Sequence, residues 1–171
     1  TTPVFEVYIT GTDKDGNNVK KVWKALRFMP YWNDPKSPYK KYKARGWVNS
    51  GLHKLPKKAV TFYDPAYGTR NMSSPYSGAI QLRNSFLIHA GPRSISESGW
   101  GAAGCVEIIG DFNKFKNDIR DLSGSSNSLT HSAILELVKA KKLFVEVEKA
   151  LPPNIKNNFY GEFLYNRWRS L

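Results

Sequence analysis

A single cysteine and a histidine sixteen residues before it have the residue types for nucleophilic catalysis. Cys105 is the only cysteine in the chain, so its thiol has no partner for an internal disulfide. An unperturbed thiol has a pKa of about 8.5 and is mostly protonated at neutral pH, so a catalytic cysteine needs a base. His89 can be that base, because an unperturbed imidazole titrates close to neutrality. The pair therefore predicts Cys105 as a nucleophile and His89 as its proton acceptor.

The residues next to Cys105 favour this chemistry over a packing role. Residues 101–104 are all small and leave the sulfur accessible, and Gly104 has no side chain to cover the neighbouring N–H groups. The N–H groups of Gly104 and Cys105 can bind the oxyanion that develops during acyl transfer. The alternative is that Cys105 is a small buried hydrophobic residue and His89 an edge histidine with its hydrogen bonds satisfied.

Two neighbouring strands must position this pair. The apolar segment 85–89 ends at His89, a loop spans residues 91–101, and a second strand starts at Cys105. We expect the two strands to be adjacent in a sheet, which brings the imidazole and the sulfur within hydrogen-bonding distance.

Alternating β-forming residues elsewhere predict a mainly β, α+β domain. Segments 4–9 and 19–28 flank a turn cluster at 11–18, which predicts an N-terminal hairpin over about residues 3–28. Further short strands are predicted at residues 45–48, 59–63, 79–82 and 143–148. Together these strands indicate a curved sheet or a small sandwich.

Helices are predicted after Gly110, at the periphery of the sheet. Asp111 can cap a helix that ends near Gly124, with apolar residues recurring every three or four positions. A second helix is predicted over residues 129–141 and a C-terminal one over residues 159–171. The expected architecture is one domain, residues 1–171, with two or three peripheral helices in its C-terminal part, at about 111–171.

The chain is basic, and its charge is uneven. The 171 residues carry a net charge of +12, and residues 1–60 contain 13 Lys and Arg against 4 Asp and Glu. This basic third is expected to attract a polyanion such as nucleic acid, an anionic lipid surface or an acidic wall polymer, or else to be a solvated face. Cations and aromatic residues are interleaved over 39–47, as on surfaces that bind single-stranded nucleic acid. No segment approaches the roughly 20 apolar residues of a membrane span.

The two other histidines are weaker candidates for the base. Papain-like peptidases place the cysteine before the histidine, an order that would select His131. That residue lies near the start of the second predicted helix and is expected to be exposed. His53 lies in a basic loop and is also expected to be exposed. One cysteine and three histidines lack the paired spacing of zinc sites, so no metal is predicted.

Around the cysteine and histidine the sequence resembles the L,D-transpeptidase (YkuD-type) family. The family's first histidine element is matched by residues 88–91 (IHAG), and its Ser/Thr-His-Gly-Cys segment by residues 102–106 (AAGCV). The similarity covers about residues 76–110. It implies a mostly β fold acting on peptidoglycan stem peptides, with Cys105 as nucleophile, His89 as base and the Ala90 carbonyl orienting the imidazole.

The sequence departs from the family pattern at the substrate contacts. Alanines at 102 and 103 stand where the family has Ser/Thr and a second histidine, so His89 is the only local base. Glu107 stands where members carry arginine or asparagine. Arg93 is a candidate to supply the positive charge that an arginine has at the position of Glu107. The alternative is that Arg93 is a solvated loop residue. Trp100 is expected either to line one side of the substrate groove or to pack its loop against the hydrophobic core.

The resemblance implies a cysteine acyltransferase of the bacterial cell wall that uses no metal or organic cofactor. The implied reactions are L,D-transpeptidation, L,D-carboxypeptidation and exchange of D-amino acids. The alternatives are a polyanion-binding module without catalysis and another cysteine peptidase or amidase of the cell wall. The residues expected to line the substrate site are Ala90, Arg93, Trp100, Ala103 and Glu107.

The implied location is extracytoplasmic, in the periplasm or cell wall. The sequence begins with Thr1 and shows no signal peptide, which fits a processed wall enzyme from which a leader or a larger parent has been removed. It fits equally an antibacterial effector domain delivered by a specialised secretion route. In the second case an immunity protein is an expected partner.

Overall fold

The chain forms eight strands and two helices within the residues that the structure describes. The structure is a computed structural model, and it describes residues 4–27, 48, 50–55, 60–61, 78–82, 86–96 and 105–150. The strands are β1 (Phe5–Thr12), β2 (Asn18–Arg27), β3 (Gly51–Lys54), β4 (Val60–Thr61), β5 (Ala79–Gln81), β6 (Leu87–Ala90), β7 (Val106–Ile108) and β8 (Phe144–Val147). The helices are α1 (Phe112–Leu122) and α2 (Thr130–Lys139). The C-terminal helix predicted at 159–171, and all but one residue of the strand predicted at 45–48, lie outside the described residues.

Six of these strands form a mixed sheet in the order β1-β2-β7-β6-β5-β4. β6 and β7 are parallel, whereas the other neighbouring pairs are antiparallel. β3 and β8 form a second, antiparallel sheet of two strands. A mainly β, α+β fold is therefore confirmed. The segment that ends near His89 and the segment that starts after Cys105 lie side by side in the main sheet.

The N-terminal hairpin has a tighter turn than the sequence predicts. The β1–β2 ladder continues to the pair Thr12 and Asn18, so the predicted turn cluster at 11–18 is in part strand. The Asp13 carboxylate accepts a hydrogen bond from the N–H group of Asn17 at 2.9 Å and so closes the turn. This bond is the main reason why the pKa of the Asp13 carboxyl lies below its usual range.

Helix α1 forms where the sequence supplies a cap and an apolar stripe. The Asp111 carboxylate accepts hydrogen bonds from the N–H groups of residues 113 and 114, as predicted. The stripe packs against the hairpin, where the rings of Trp23 and Phe115 meet edge to face at 5.7 Å. Trp23 Nε1 also donates a hydrogen bond to the Asp118 carboxylate at 2.9 Å. The buried residues of α1 are Phe112, Phe115, Lys116, Ile119 and Leu122.

The hydrophobic core draws residues from both helices and both sheets. In the two parallel strands alternate side chains enter it, because successive residues of a strand point to opposite faces. The buried core residues include Ala25, Ile80, Ile88, Ala90, Val106, Ile108, Phe112, Phe115, Ile134 and Val147. His89 and Glu107 therefore lie on the other face of the sheet, where they are also buried.

The short strand β3 was not predicted, and it changes the environment of His53. The residue pairs with Val145 of β8 and is buried, so the expectation of an exposed loop histidine is wrong. Its partner strand lies more than ninety residues later in the chain, and no local pattern around His53 indicates that pairing.

Gly91 lies where β6 ends, in close contact with β7. Its N–H group donates to the Ile108 carbonyl at 2.8 Å. A Cβ at this position would lie 2.7 Å from that carbonyl oxygen and 3.0 Å from Glu107 Cβ. The first contact is with backbone, so β6 and β7 would have to separate to admit a side chain.

We expect Gly91→Ala to lower the free energy of unfolding by about 1–3 kcal/mol, the usual cost of overpacking. Urea unfolding monitored by circular dichroism measures the change. Ile95→Ala is the control, because Ile95 lies in the following loop with 60% of its surface exposed and should alter stability by no more than about 0.5 kcal/mol. Equal stabilities of the two variants would contradict the tight β6–β7 junction.

Candidate active site

The parallel register of β6 and β7 builds the candidate site. Ile88 pairs with Val106, His89 with Glu107, and Ala90 with Ile108. His89 and Glu107 are therefore neighbours on the same face of the sheet, since residues that are directly opposite in a sheet point the same way.

The tautomer of His89 follows from its hydrogen bond. The ring is 2% exposed, and its Nδ1 lies 2.8 Å from the carbonyl oxygen of Ala90. A carbonyl oxygen only accepts hydrogen bonds, so Nδ1 carries the proton and donates it. In the neutral ring the lone pair is then on Nε2. Nε2 is thus the atom that can take a proton from a nucleophile.

Burial makes His89 a weak base in the resting protein. It lowers the pKa of the imidazole to about 4, and the hydrogen bond to Ala90 opposes this shift. The ring is therefore neutral at neutral pH. Moving a proton to it from a thiol with an ordinary pKa of about 8.5 costs about 6 kcal/mol.

Cys105 lies at the bend directly before β7. It is partly buried and packs against the hydrophobic core, and it retains exposed surface. Ideal strand spacing and rise, extended one residue beyond the Ile88–Val106 pair, give a Cα separation from His89 of roughly 8 Å. This separation allows two side chains that lean towards each other to meet.

A buried cation also lies beside this end of β7. Arg27 ends β2 opposite Val106, the residue that follows Cys105. Its guanidinium donates to the Val48 carbonyl at 3.1 Å and lies 5.7 Å from the centre of the Phe5 ring. Burial lowers the pKa of Arg27 to about 10, so it remains charged at neutral pH. This arginine was not among the predicted site residues, although its parity with Trp23 and Ala25 along β2 predicts an inward side chain.

The predicted substrate-site residues are in different environments. Ala90 and Glu107 are buried, which favours positioning roles over direct contact with a substrate. Arg93 is exposed in the loop after β6. Gly104, the predicted oxyanion residue, lies outside the described residues, as do Trp100 and Ala103.

His131 is not the exposed residue that its helix position predicts. It is partly buried on α2, and its Nε2 lies 3.0 Å from the ammonium Nζ of Lys116 on α1. Burial, and then the Lys116 charge, lower the pKa of the His131 imidazole. Lys116 is 1% exposed, and burial lowers its pKa to about 8. The prediction of an exposed histidine was wrong because the imidazole accepts a hydrogen bond from a buried lysine on the facing helix.

Among residues 4–27, 86–96, 105–150 and the shorter described segments, no group of three or more His, Cys, Asp or Glu side chains could hold a metal ion. Neither helix in this part of the chain is long and apolar enough to cross a membrane. Comparison with models of protein families, with curated proteins and with solved structures gave no match to this chain.

Proposed function

We propose that the protein is a cysteine acyltransferase acting on peptidoglycan stem peptides. The observation that carries the proposal is the parallel β6–β7 register. In it, His89, with its lone pair on Nε2, lies on the strand adjacent to β7, which begins one residue after Cys105. The substrate class comes from the resemblance of residues 76–110 to the L,D-transpeptidase family.

In the proposed reaction Cys105 Sγ attacks the carbonyl carbon of an L,D peptide bond. His89 Nε2 accepts the thiol proton and returns it to the leaving amine, so the terminal D-residue departs and a thioester remains. Water then hydrolyses the thioester in an L,D-carboxypeptidase. An amine from a second stem resolves it in a transpeptidase, and a free D-amino acid resolves it in an exchange reaction.

The same proposal sets the expected location and partners. Stem peptides lie outside the cytoplasm, so the protein would act in the periplasm or the cell wall. As a delivered effector it would require an immunity protein in the producing cell, and its basic N-terminal third would contact an anionic wall polymer.

A polyanion-binding module is the second candidate, favoured by the outer face of the hairpin. Lys20 Nζ lies 3.9 Å above the ring of exposed Tyr8, and Lys24 is exposed on the same face. A cation stacked on an aromatic ring is one element of single-stranded nucleic-acid surfaces. Such binding would not depend on the thiol.

Mass spectrometry of defined muropeptides separates these functions. Wild type and Cys105→Ala are each incubated with tripeptide, tetrapeptide and pentapeptide muropeptides, after circular dichroism has shown that both fold. We expect wild type alone to remove one D-alanine, to form dimers or to exchange a D-residue. Unchanged muropeptides with wild type, or equal turnover by the mutant, would refute the proposal. Salt-sensitive RNA binding that Cys105→Ala leaves intact would support the binding module instead.

A further inference from the structure

The strand at one end of the main sheet has the features of an edge that can pair with another chain. β1 is the last strand on its side of the sheet, in the part of the chain that the structure describes. It pairs with β2 over eight consecutive residues, and its sequence, FEVYITGT, contains no lysine or proline. Lysine, proline, bulges and short length are the usual means by which edge strands avoid pairing with another chain. β1 has none of these protections.

The backbone groups that point away from β2 belong to the even-numbered residues of β1. At the turn end of the ladder, the Asp13 N–H group donates to the Asn17 carbonyl at 2.9 Å. Hydrogen-bonded pairs alternate along an antiparallel ladder, so the odd-numbered residues of β1 bond to β2. The Lys24 carbonyl is consistent with this, because it accepts a hydrogen bond from Ile109 on the other side of β2. The residues whose N–H and C=O groups are directed outward are Glu6, Tyr8 and Thr10.

The apolar side chains on the inner face of β1 are only partly buried. Val7 and Ile9 pack against the hydrophobic core and keep some exposed surface. Ala25, on the same face of the adjacent strand, is completely buried. The cover of the core is therefore incomplete along β1, and a neighbouring strand with the same alternation of apolar residues would complete it.

The sequence of β1 is complementary to itself in one antiparallel register. Side chains that are directly opposite in a sheet share a face, so odd-numbered residues must pair with odd-numbered residues to keep the apolar face together. When Val7 lies opposite Val7 of a second copy, Phe5 of each copy lies opposite Ile9 of the other. On the outer face, Glu6 then lies opposite Tyr8.

The neighbouring registers are less favourable. Sliding one strand by two residues in one direction places the Glu6 carboxylates of the two copies directly opposite each other, and like charges in such pairs are destabilising. Sliding it by two residues in the other direction places Phe5 opposite Gly11, which has no side chain to pack against the ring. The register centred on Val7 is therefore the one that the sequence favours.

The charges along this edge are balanced, so they do not oppose the pairing. Lys24 lies opposite Glu6 on β2, and Lys20 Nζ lies 3.9 Å above the Tyr8 ring. Glu6 accepts a hydrogen bond from the Tyr8 hydroxyl, and Glu148 is the second carboxylate that acts on this hydroxyl. Two lysines and two carboxylates therefore lie around the exposed side chains of β1 on each copy.

We propose that two copies of this chain pair through β1 and form one continuous sheet across a two-fold axis at Val7. The interface is isologous, because the same strand is used on both copies. The outward N–H and C=O groups of residues 4, 6, 8 and 10 would make about eight hydrogen bonds between the copies, as in an ordinary antiparallel ladder. This dimer does not depend on the chemistry proposed for Cys105.

A disulfide at the two-fold axis tests the register directly. In a Cys105→Ser background, Val7→Cys places two thiols on directly opposite residues, with about 4.5 Å between Cα atoms in a pair that is not hydrogen-bonded. That separation is within the range of a disulfide. We expect mild oxidation to give a covalent dimer on a non-reducing gel. Ile9→Cys is the matched control, since Ile9 is also partly buried on the inner face. Its two copies would be about 13 Å apart along the strand, so it should stay monomeric on the gel.

Light scattering of the intact protein measures the association itself. We expect wild type to have twice the mass of one chain. Tyr8→Pro removes an N–H group that bonds to the second copy and not to β2, so the hairpin can remain. The dimer dissociation constant should rise by about tenfold or more, because each of the two copies loses a hydrogen bond. Val22→Ala is the control: Val22 is 53% exposed on β2, away from the edge, and the variant should dimerise like wild type.

Three results would overturn the inference. The first is a wild-type protein that stays monomeric up to its solubility limit. The second is a dimer in which Val7→Cys does not cross-link, or cross-links no better than Ile9→Cys. The third is a folded Tyr8→Pro variant that dimerises like wild type. If circular dichroism shows that Tyr8→Pro does not fold, the two cysteine variants decide. None of these measurements involves turnover, so their outcome is separate from that of the muropeptide assay.

Discussion

Replacing Phe112 with alanine is expected to lower the free energy of unfolding by about 3–5 kcal/mol, the range for a fully buried aromatic side chain. Phe112 has no exposed surface and stacks on Phe115 with 5.5 Å between ring centres. The Lys116 ammonium lies 5.2 Å from the centre of the same ring. Truncation therefore leaves a cavity in the core and removes an aromatic partner from a buried cation. Urea unfolding at neutral pH measures the loss.

Phe144→Ala is the matched control for this substitution. The same atoms are removed from a side chain that is 47% exposed on β8. We expect a loss of about 1 kcal/mol, in proportion to the smaller apolar area buried. If the two variants lost equal stability, Phe112 would not occupy the centre of the core.

Acidification is expected to destabilise the protein through His89. The pKa of the folded imidazole is about 4, against an unfolded value of 6.5, so the unfolded chain binds the proton more tightly. The stabilising contribution is complete above pH 6.5 and is lost as the pH falls towards 4. Its full size is about 3 kcal/mol.

Urea unfolding of wild type and His89→Gln, near neutral pH and near pH 4, isolates this contribution. Wild type should lose about 3 kcal/mol more than the variant over this interval, because glutamine does not titrate. His131→Gln is the control for the other shifted histidine, whose pKa is also lowered. Equal acid sensitivity of wild type and His89→Gln would show that the imidazole is not buried as described.

Local patterns in the sequence were sufficient for the hairpin and for both described helices. Alternating residues predict β1 and β2, and the structure pairs them. Asp111 and the apolar spacing after it predict α1 with its cap. In each case the residues that form the pattern and the element that they predict lie in the same short segment. The local periodicity of the apolar residues is therefore sufficient to predict the element.

The sequence was less informative where burial depends on distant partners. His53 is buried because β3 pairs with β8, and His131 because Lys116 lies on the facing helix. Glu107 shows the same limit. It interrupts an apolar strand by one residue, a pattern that indicates an outward-facing side chain in a sheet with one solvated face. In this sheet both faces of β7 are buried, and the alternation of residues along β7 does not predict burial of the second face.

The strand order has a consequence for how the chain folds. The hairpin closes over a handful of residues, but β7 must then find β2 across nearly half of the polypeptide, as the pair Leu26 and Glu107 shows. Closure of so large a loop is slow relative to local pairing. The pairing of β2 with β7 should therefore form late in folding, after the hairpin itself. Contact between Leu26 and Glu107 would then report the arrival of the native topology.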